Sequence, residues 1–357
     1  MNSAQSLQYI RFKSLASILF QAAVAAAVIA AAFKIAHADL YIQRVAILCV
    51  IYGTLAISLN LVAGYVGQYS LGHSALFAIG AYVAAVGASN YGWSLGVLLP
   101  LSILGAALAG AAFGAISLRF GGLYFAIVTL TLASVASVVL ERWSFLGAPT
   151  GMIGPLFPDF PGQLSWAGGS LVWCAGAVLL VAMAVSRSVR VSPLFPVLLA
   201  TRDSPSTARA AGVHVARLKV AMFAVSAALA GLAGWLYAFL GFVSPPTFSY
   251  TLSVNLLMMV LLGGIGTTIG PVIGATLVTL FPEYVTISPQ WRQLLYGAVL
   301  VGSIVLFPEG LVGLINFAGL HLRRLAAGRG AGSPEPVDRV IAVAQNLKNG
   351  ARPGQVD

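Results

Sequence analysis

Long apolar stretches divided by short polar ones set the pattern of this chain. No Asp, Glu, Lys or Arg occurs between Arg44 and Arg119, nor between Lys219 and Glu283. A charged side chain at the centre of a bilayer-crossing helix costs about 2.5 to 3.5 kcal/mol on the insertion scale, so charge-free stretches this long read as successive crossings. At about 20 residues per crossing, the pattern predicts spans near 16–36, 43–63, 71–89, 95–118, 122–140, 169–186, 218–241 and 293–312. Between the last two, 252–282 is apolar but interrupted by Gly263, Gly264, Gly266, Gly270 and Pro271. It reads either as two short spans or as a re-entrant pair of half-helices. The expected fold is all-α, a polytopic membrane helix bundle of about 8–10 transmembrane segments.

Composition supports this reading. The 357 residues are 59% hydrophobic and only 8% charged; a soluble domain carries about 25% charged residues. The net charge of +10 does not point to nucleic acid, because the cations border apolar runs and form no patch with interleaved aromatics. Cys49 and Cys174 lie inside apolar runs without metal or CxxC spacing, which suits two small hydrophobes better than a disulfide. No convincing cleavage site follows the first apolar run, so it is expected to be a retained span.

Charge placement gives an orientation. The segment 187–219 carries Arg187, Arg190, Arg202, Arg209, Arg217 and Lys219 against one acid, Asp203, and is expected on the cytoplasmic side. Arg11, Lys13, Arg119, Arg323 and Arg324 fall on that side too. Lys34, Arg44, Arg142, Arg292 and the proline-rich stretch 141–168 fall on the other. The expected organisation is a cytoplasmic tail over 1–15, a membrane domain over 16–315 with a cytoplasmic loop at 187–218, and a cytoplasmic tail over 316–357. Polar composition makes that last tail a candidate for disorder, with room for one amphipathic turn near 338–347.

Several chemistries are missing. There is no G-x4-G-K-[ST] phosphate cradle, no HExxH, and no pair of carboxylates within the spans. His37, His73, His214 and His321 are far apart and give no local support to a metal site. Few ionisable groups are available for proton or sodium coupling, only His73 and, near span ends, Glu283 and Glu309. These absences disfavour an enzyme and, less strongly, a self-sufficient secondary transporter or channel. A motor on another polypeptide is the better source of drive.

A place for such a motor to engage lies in Ser192–Lys219, which is too polar to span. Ala200–Gly212 is expected to form a short helix, with Arg202 and Asp203 near its start, small Ala208, Ala210 and Ala211 along it, and Gly212 as its stop. A short surface helix with a small-residue face can seat in a groove on a cytoplasmic partner. The plain alternative is a basic loop that only sets topology.

The order of motifs resembles the LivM family of branched-chain amino-acid ABC importer permeases. It comprises Ser58-Leu59-Asn60-Leu61, Gly64-Tyr65-Val66-Gly67-Gln68-Tyr69-Ser70-Leu71-Gly72-His73, Gly121-Gly122-Leu123-Tyr124-Phe125-Ala126-Ile127-Val128-Thr129-Leu130 and Ala200-Thr201-Arg202-Asp203-Ser204-Pro205. Lys219, Ala230-Gly231-Leu232-Ala233-Gly234, Ser244-Pro245, Gly263-Gly264-Ile265-Gly266-Thr267, Gly270-Pro271 and Phe307-Pro308-Glu309-Gly310 follow. The match covers roughly 45–315. The resemblance implies a LivH-like second permease, two cytoplasmic ATPase subunits that bind ATP and Mg, and a periplasmic substrate-binding protein. No cofactor is expected on this chain. The resemblance also makes Ala200–Gly212 the ATPase-coupling helix. Thr201 departs from the family, which commonly has an aliphatic residue before Arg-Asp. Similar permeases carry urea or short amides, and nothing in the residues chooses among these substrates. A membrane scaffold without flux is a further alternative.

Gln68, Ser70 and His73 are polar residues in apolar surroundings, so each needs a partner. They either line the translocation path or bind neighbouring helices together. Tyr124 is a candidate for the path or for an interfacial aromatic belt. Gly264, Gly266 and Thr267 complete the candidate path, because unwound backbone at membrane depth must be buried or line a cavity. Gly110 with Gly114, and Gly270 with Gly274, have GxxxG spacing and are expected to pack helices closely. Thr150-Gly151 and Gly154 resemble a family loop that faces the binding protein.

Overall fold

A computed structural model describes residues 26–116, 120, 122–157 and 169–284, with scattered positions between 291 and 313. Among the described residues, six helices are long and apolar enough to cross a membrane: α2 (Leu40–Ala63), α3 (His73–Tyr91), α4 (Leu95–Ile116), α5 (Leu123–Arg142), α6 (Gly169–Val191) and α9 (Val215–Ala238). The 24 residues of α2 extend about 36 Å, enough for a hydrocarbon layer of about 30 Å. Between α6 and α9 come two short helices, α7 (Phe195–Asp203) and α8 (Pro205–Ala210). Shorter apolar segments are α1 (Ala26–Ala36), α10 (Tyr250–Gly263) and α11 (Gly270–Tyr284). The chain is a multi-pass membrane protein. Among described residues the only sheet is a two-residue antiparallel bridge, β1 (Met152–Ile153) with β2 (Phe242–Val243), pairing Met152 with Val243 and Ile153 with Phe242.

The six predicted spans from 43–63 to 218–241, excluding none between them, coincide with these six helices. The predicted span at 16–36 is described only over α1, while 293–312 and both tails lie largely or wholly outside the described residues.

Helices α2, α3 and α9 form the centre, with about two thirds or more of each apolar stretch buried. Only 22% of α4 and 28% of α5 is buried, which leaves Val97, Leu101, Leu104 and Leu108 of α4 exposed, as suits a lipid-facing surface. Without a hydrophobic drive between helices in lipid, small residues let backbones approach. A Cβ on Gly231 of α9 would run into Ala106 and the Ser102 carbonyl of α4, while one on Gly80 of α3 would run into the Gly231 backbone. Ser102 Oγ fastens the same crossing by donating to the Gly80 carbonyl at 3.0 Å. The GxxxG glycines pack as expected: Gly110 and Gly114 against α9, Gly270 and Gly274 against α10.

The interrupted stretch 252–282 forms an antiparallel pair, since Gly263 abuts Gly270 and Gly274 abuts Met259. Helix α11 follows α2 along its length. Its start meets Asn60 through Gly266 and Thr267, Val272 packs on Gly53, and Glu283 accepts a hydrogen bond from Tyr41. The two helices are short, 14 and 15 residues. The unwound segment 264–269 therefore lies at the end of the bundle that carries Arg190 and Arg202, and not at mid-depth.

One expectation is corrected. Ala200–Gly212 is not a continuous helix: α7 ends at Asp203 and α8 begins at Pro205. Proline disfavours helical geometry in the residue before it, and Ser204 accordingly adopts φ −149 and ψ 93. The Ser204 hydroxyl then caps α8 by accepting from Thr207 N at 3.4 Å. Gly212 does provide the stop, with φ +84, and Val213 N closes on the Ala208 carbonyl at 3.0 Å.

Candidate functional site

The basic end of the bundle holds a compact polar assembly built from three distant parts of the sequence. Helix α2 ends in the turn Gly64–Gly67. Asn60, fully buried one turn earlier, donates from Nδ2 to the Thr267 carbonyl and accepts at Oδ1 from Gly266 N, both at 2.7 Å. Arg202 at the end of α7 donates from Nη1 to the Gly64 carbonyl at 2.7 Å. Gly67, with φ +74, lies so close that a Cβ would sit 2.8 Å from Arg202 Cγ. That combination of left-handed backbone and close approach admits glycine alone at low cost. Thr267 Oγ1 donates to the Gly264 carbonyl at 2.7 Å and accepts from Gly270 N at 3.1 Å, which satisfies the unwound tip between α10 and α11. Arg190 adds a tie from α6 by donating to Thr268 Oγ1 at 3.3 Å.

A second polar group surrounds the start of α3, whose first N–H groups lack helical partners. Leu71 N donates to Thr129 Oγ1 of α5 at 3.0 Å, Gly72 N to Ser70 Oγ at 3.3 Å, and Ser74 N to Ser253 Oγ of α10 at 3.0 Å. His73 is fully buried. Its Nε2 lies 2.9 Å from Ser226 Oγ of α9, which itself donates to the Ser58 carbonyl of α2 at 2.6 Å. His73 thus binds α3 to α9, whereas Ser70 braces only the turn before α3 by accepting from Gly72 N. Gln68 differs: it is buried and neither side-chain polar atom has a partner. Thr201, also buried, has an unpartnered hydroxyl.

The residues expected to couple to a partner divide by accessibility. Ala200, Asp203 and Gly212 are exposed, Ala208 is packed inward, and Arg202 reaches inward while 36% of its side chain remains exposed beside Asp203. Of the alanines, only Ala208 is turned inward; Ala200, Ala210 and Ala211 share the exposed surface with Asp203, Ser206, Thr207 and Arg209. Gly264 is buried, and Gly266 and Thr267 are half-buried. Tyr124 is 74% exposed on α5, on a stripe with Ile127, Thr131, Val135 and Val138. Behind α5, an apolar groove of about 610 Å³ runs toward Trp93 and Phe145, with Tyr82 among its lining residues.

At the opposite end, the loop with Thr150, Gly151 and Gly154 is fastened to the end of α9. Gly154 N donates to the Gly241 carbonyl at 3.1 Å, and Ile153 and Leu156 stand 75% and 94% exposed beside it. Tyr91 and Trp93 stack there at 5.0 Å, as interfacial aromatics do.

Asn60, Ser226, Ser253 and Thr129 were not singled out from the sequence as functional or structural polar residues. The available signal was their polarity inside charge-free apolar runs, which demands buried partners.

The family described as branched-chain amino acid transport system / permease component matches residues 41–304. The chain is 31% identical over 294 residues to the high-affinity branched-chain amino acid transport system permease protein LivM of Escherichia coli K12, covering 75% of this chain and 69% of the relative. The LivM protein of Salmonella typhimurium LT2 matches at the same identity and coverage. A shorter likeness, 30% over 117 residues and 30% of this chain, links it to the fructose import permease protein FrcC of Rhizobium meliloti. No solved structure matches.

Proposed function

The chain belongs to the branched-chain amino acid transport system permease family, and from that premise we propose that it carries branched-chain amino acids across the inner membrane in an ATP-driven importer. The observation that carries this reading is the Arg202 anchorage. A polar two-helix surface at the basic end is bonded through one side chain to the end of a central span, so force applied to the surface reaches the bundle. With that end cytoplasmic by the distribution of Arg and Lys, both termini are cytoplasmic and α7–α8 faces two ATPase subunits, which bind ATP and Mg.

ATP binding draws the ATPases together and displaces α7–α8, and the bundle opens toward a periplasmic binding protein docked on the loop around Ile153 and Leu156. Hydrolysis resets the cycle. A LivH-like second permease completes the path. The exposed stripe from Tyr124 to Val138 is the surface turned to that path: Thr131 gives it a hydroxyl, whereas the exposed face of α4 is wholly apolar. Gln68, with an unpaired carboxamide, and the tip at Gly264, Gly266 and Thr267 are the other residues we assign to the path.

Uptake of labelled leucine in cells lacking their own systems, with and without this chain and its partners, tests the reading. The expected result is chain-dependent uptake, abolished by ATP depletion, competed by isoleucine and valine but not by urea. Competition by urea or acetamide alone overturns the substrate class, and uptake that survives ATP depletion overturns the drive.

A further inference from the structure

We propose that Asn60 is the pin of a joint that makes the tip between α10 and α11 move with α7, so that the ATPase-facing surface drives that helix pair and not only α2. The inference rests on the importer reading. A carboxamide offers an acceptor oxygen and donor N–H groups, and Asn60 spends them on the N–H of Gly266 and the carbonyl of the next residue, Thr267, each at 2.7 Å. It thereby replaces the neighbouring backbone that this unwound segment lacks. Asn60 is fully buried, so parting the two would strand polar groups on both sides away from water. Separation is disfavoured, and the tip travels with α2.

One turn further along α2, Gly64 receives Arg202 on its carbonyl, and its missing Cβ leaves room for Gly266 N, which would lie 2.7 Å from that position. Arg202 thus holds the end of α2 at Gly64, and Asn60 of that same helix holds the tip at Gly266 and Thr267. The tip itself is braced by both bonds of Thr267 Oγ1. Beyond it, α10 carries Ser253, which accepts from Ser74 N at 3.0 Å and donates to Ser74 Oγ at 2.9 Å. Displacement of the tip therefore reaches the start of α3. Asn60 is a positioning residue in this scheme; it need not touch substrate.

The test compares wild type with Asn60→Ala in the assembled transporter, reading bound ATPase, ATP hydrolysis and substrate uptake together. The joint predicts that the ATPases stay bound and hydrolysis stays near wild type, while uptake per ATP falls about tenfold or more. Uptake per ATP at the wild-type value overturns it. So does parallel loss of ATPase binding, hydrolysis and uptake from a folded variant, which would make Asn60 a support for the docking surface alone. Should Asn60→Ala not fold, hydrogen exchange on wild type decides: adding a non-hydrolysable ATP analogue is expected to change protection over 264–270 together with 195–203. A change confined to 195–203 overturns the joint. A wild-type chain that binds no ATPase fails at the importer reading, a result distinct from bound, active ATPases without a coupling defect.

Discussion

Gly231→Leu is expected to remove most folded protein from the membrane, while Gly96→Leu leaves the yield unchanged. Gly231 is the point where three backbones meet: Gly80 of α3 rests against it from one side, and Ser102 and Ala106 of α4 from the other. Much of what a leucine would strike is main chain, which cannot rotate away, so the helices must separate. Overpacking of a well-filled core costs about 1–3 kcal/mol and occasionally more, and contact with the Ser102 main chain, while Gly80 backs Gly231 on its other side, puts this site at the upper end. At about 1.4 kcal/mol per factor of ten, such a loss shifts the folded-to-unfolded ratio by about a hundredfold or more, a large share of the roughly 5–15 kcal/mol that holds a fold together. Separation would also break the bond from Ser102 Oγ to the Gly80 carbonyl. Gly96, in contrast, has open space where a side chain would go. Detergent extraction followed by size-exclusion chromatography checks both variants; equal monodisperse yields would refute the crossing as the bundle's keystone.

Arg202→Glu is expected to reduce uptake to about a tenth or less at matched membrane content. The guanidinium supplies the donor for the Gly64 carbonyl and an aliphatic stem for Gly67; a carboxylate accepts only, and it would face that carbonyl with like polarity. A hydrogen bond from a charged group contributes about 1.5–3 kcal/mol, less here because the side chain is 36% exposed. Folding should therefore survive while transmission fails. The 4.0 Å pair with Asp203 is a surface contact of little energetic weight. Asp203→Ala consequently separates two roles: a fall in uptake assigns Asp203 to partner contact, because nothing inside the chain depends on it strongly. Uptake by Arg202→Glu at the wild-type level would remove the anchorage from the account.

The six long crossings were legible because lipid imposes a severe rule: a charge-free stretch must be helical and must be long. Their ends were less so. Helix α6 was expected to stop at 186 and continues to Val191, since hydropathy ends at Arg187 whereas the backbone goes on winding into water. The break at Ser204 was written locally in Ser204-Pro205, yet the apparent run from Ala200 to the Gly212 stop concealed it. Within the site, Arg202 and the glycine-rich tip were visible by motif, but their meeting was not. Asn60 finds its partner 207 positions away, and His73 and Ser74 find theirs at separations of 153 and 179. A single sequence announces that a buried asparagine or serine needs a partner; it does not say which helix brings one. For the same reason Gln68, Ser70 and His73 read alike in sequence, and only packing separates the unpaired glutamine, the serine that braces its own turn and the histidine bonded to another helix.

The most direct measurement of the central claim is co-purification of the tagged chain from gentle detergent, for wild type and for Arg202→Glu combined with Asp203→Arg. The account predicts that wild type brings down a pair of ATPase subunits and that the double variant, equally monodisperse, does not. A well-folded wild type that carries no ATPase, in cells whose uptake persists after ATP depletion, would contradict it.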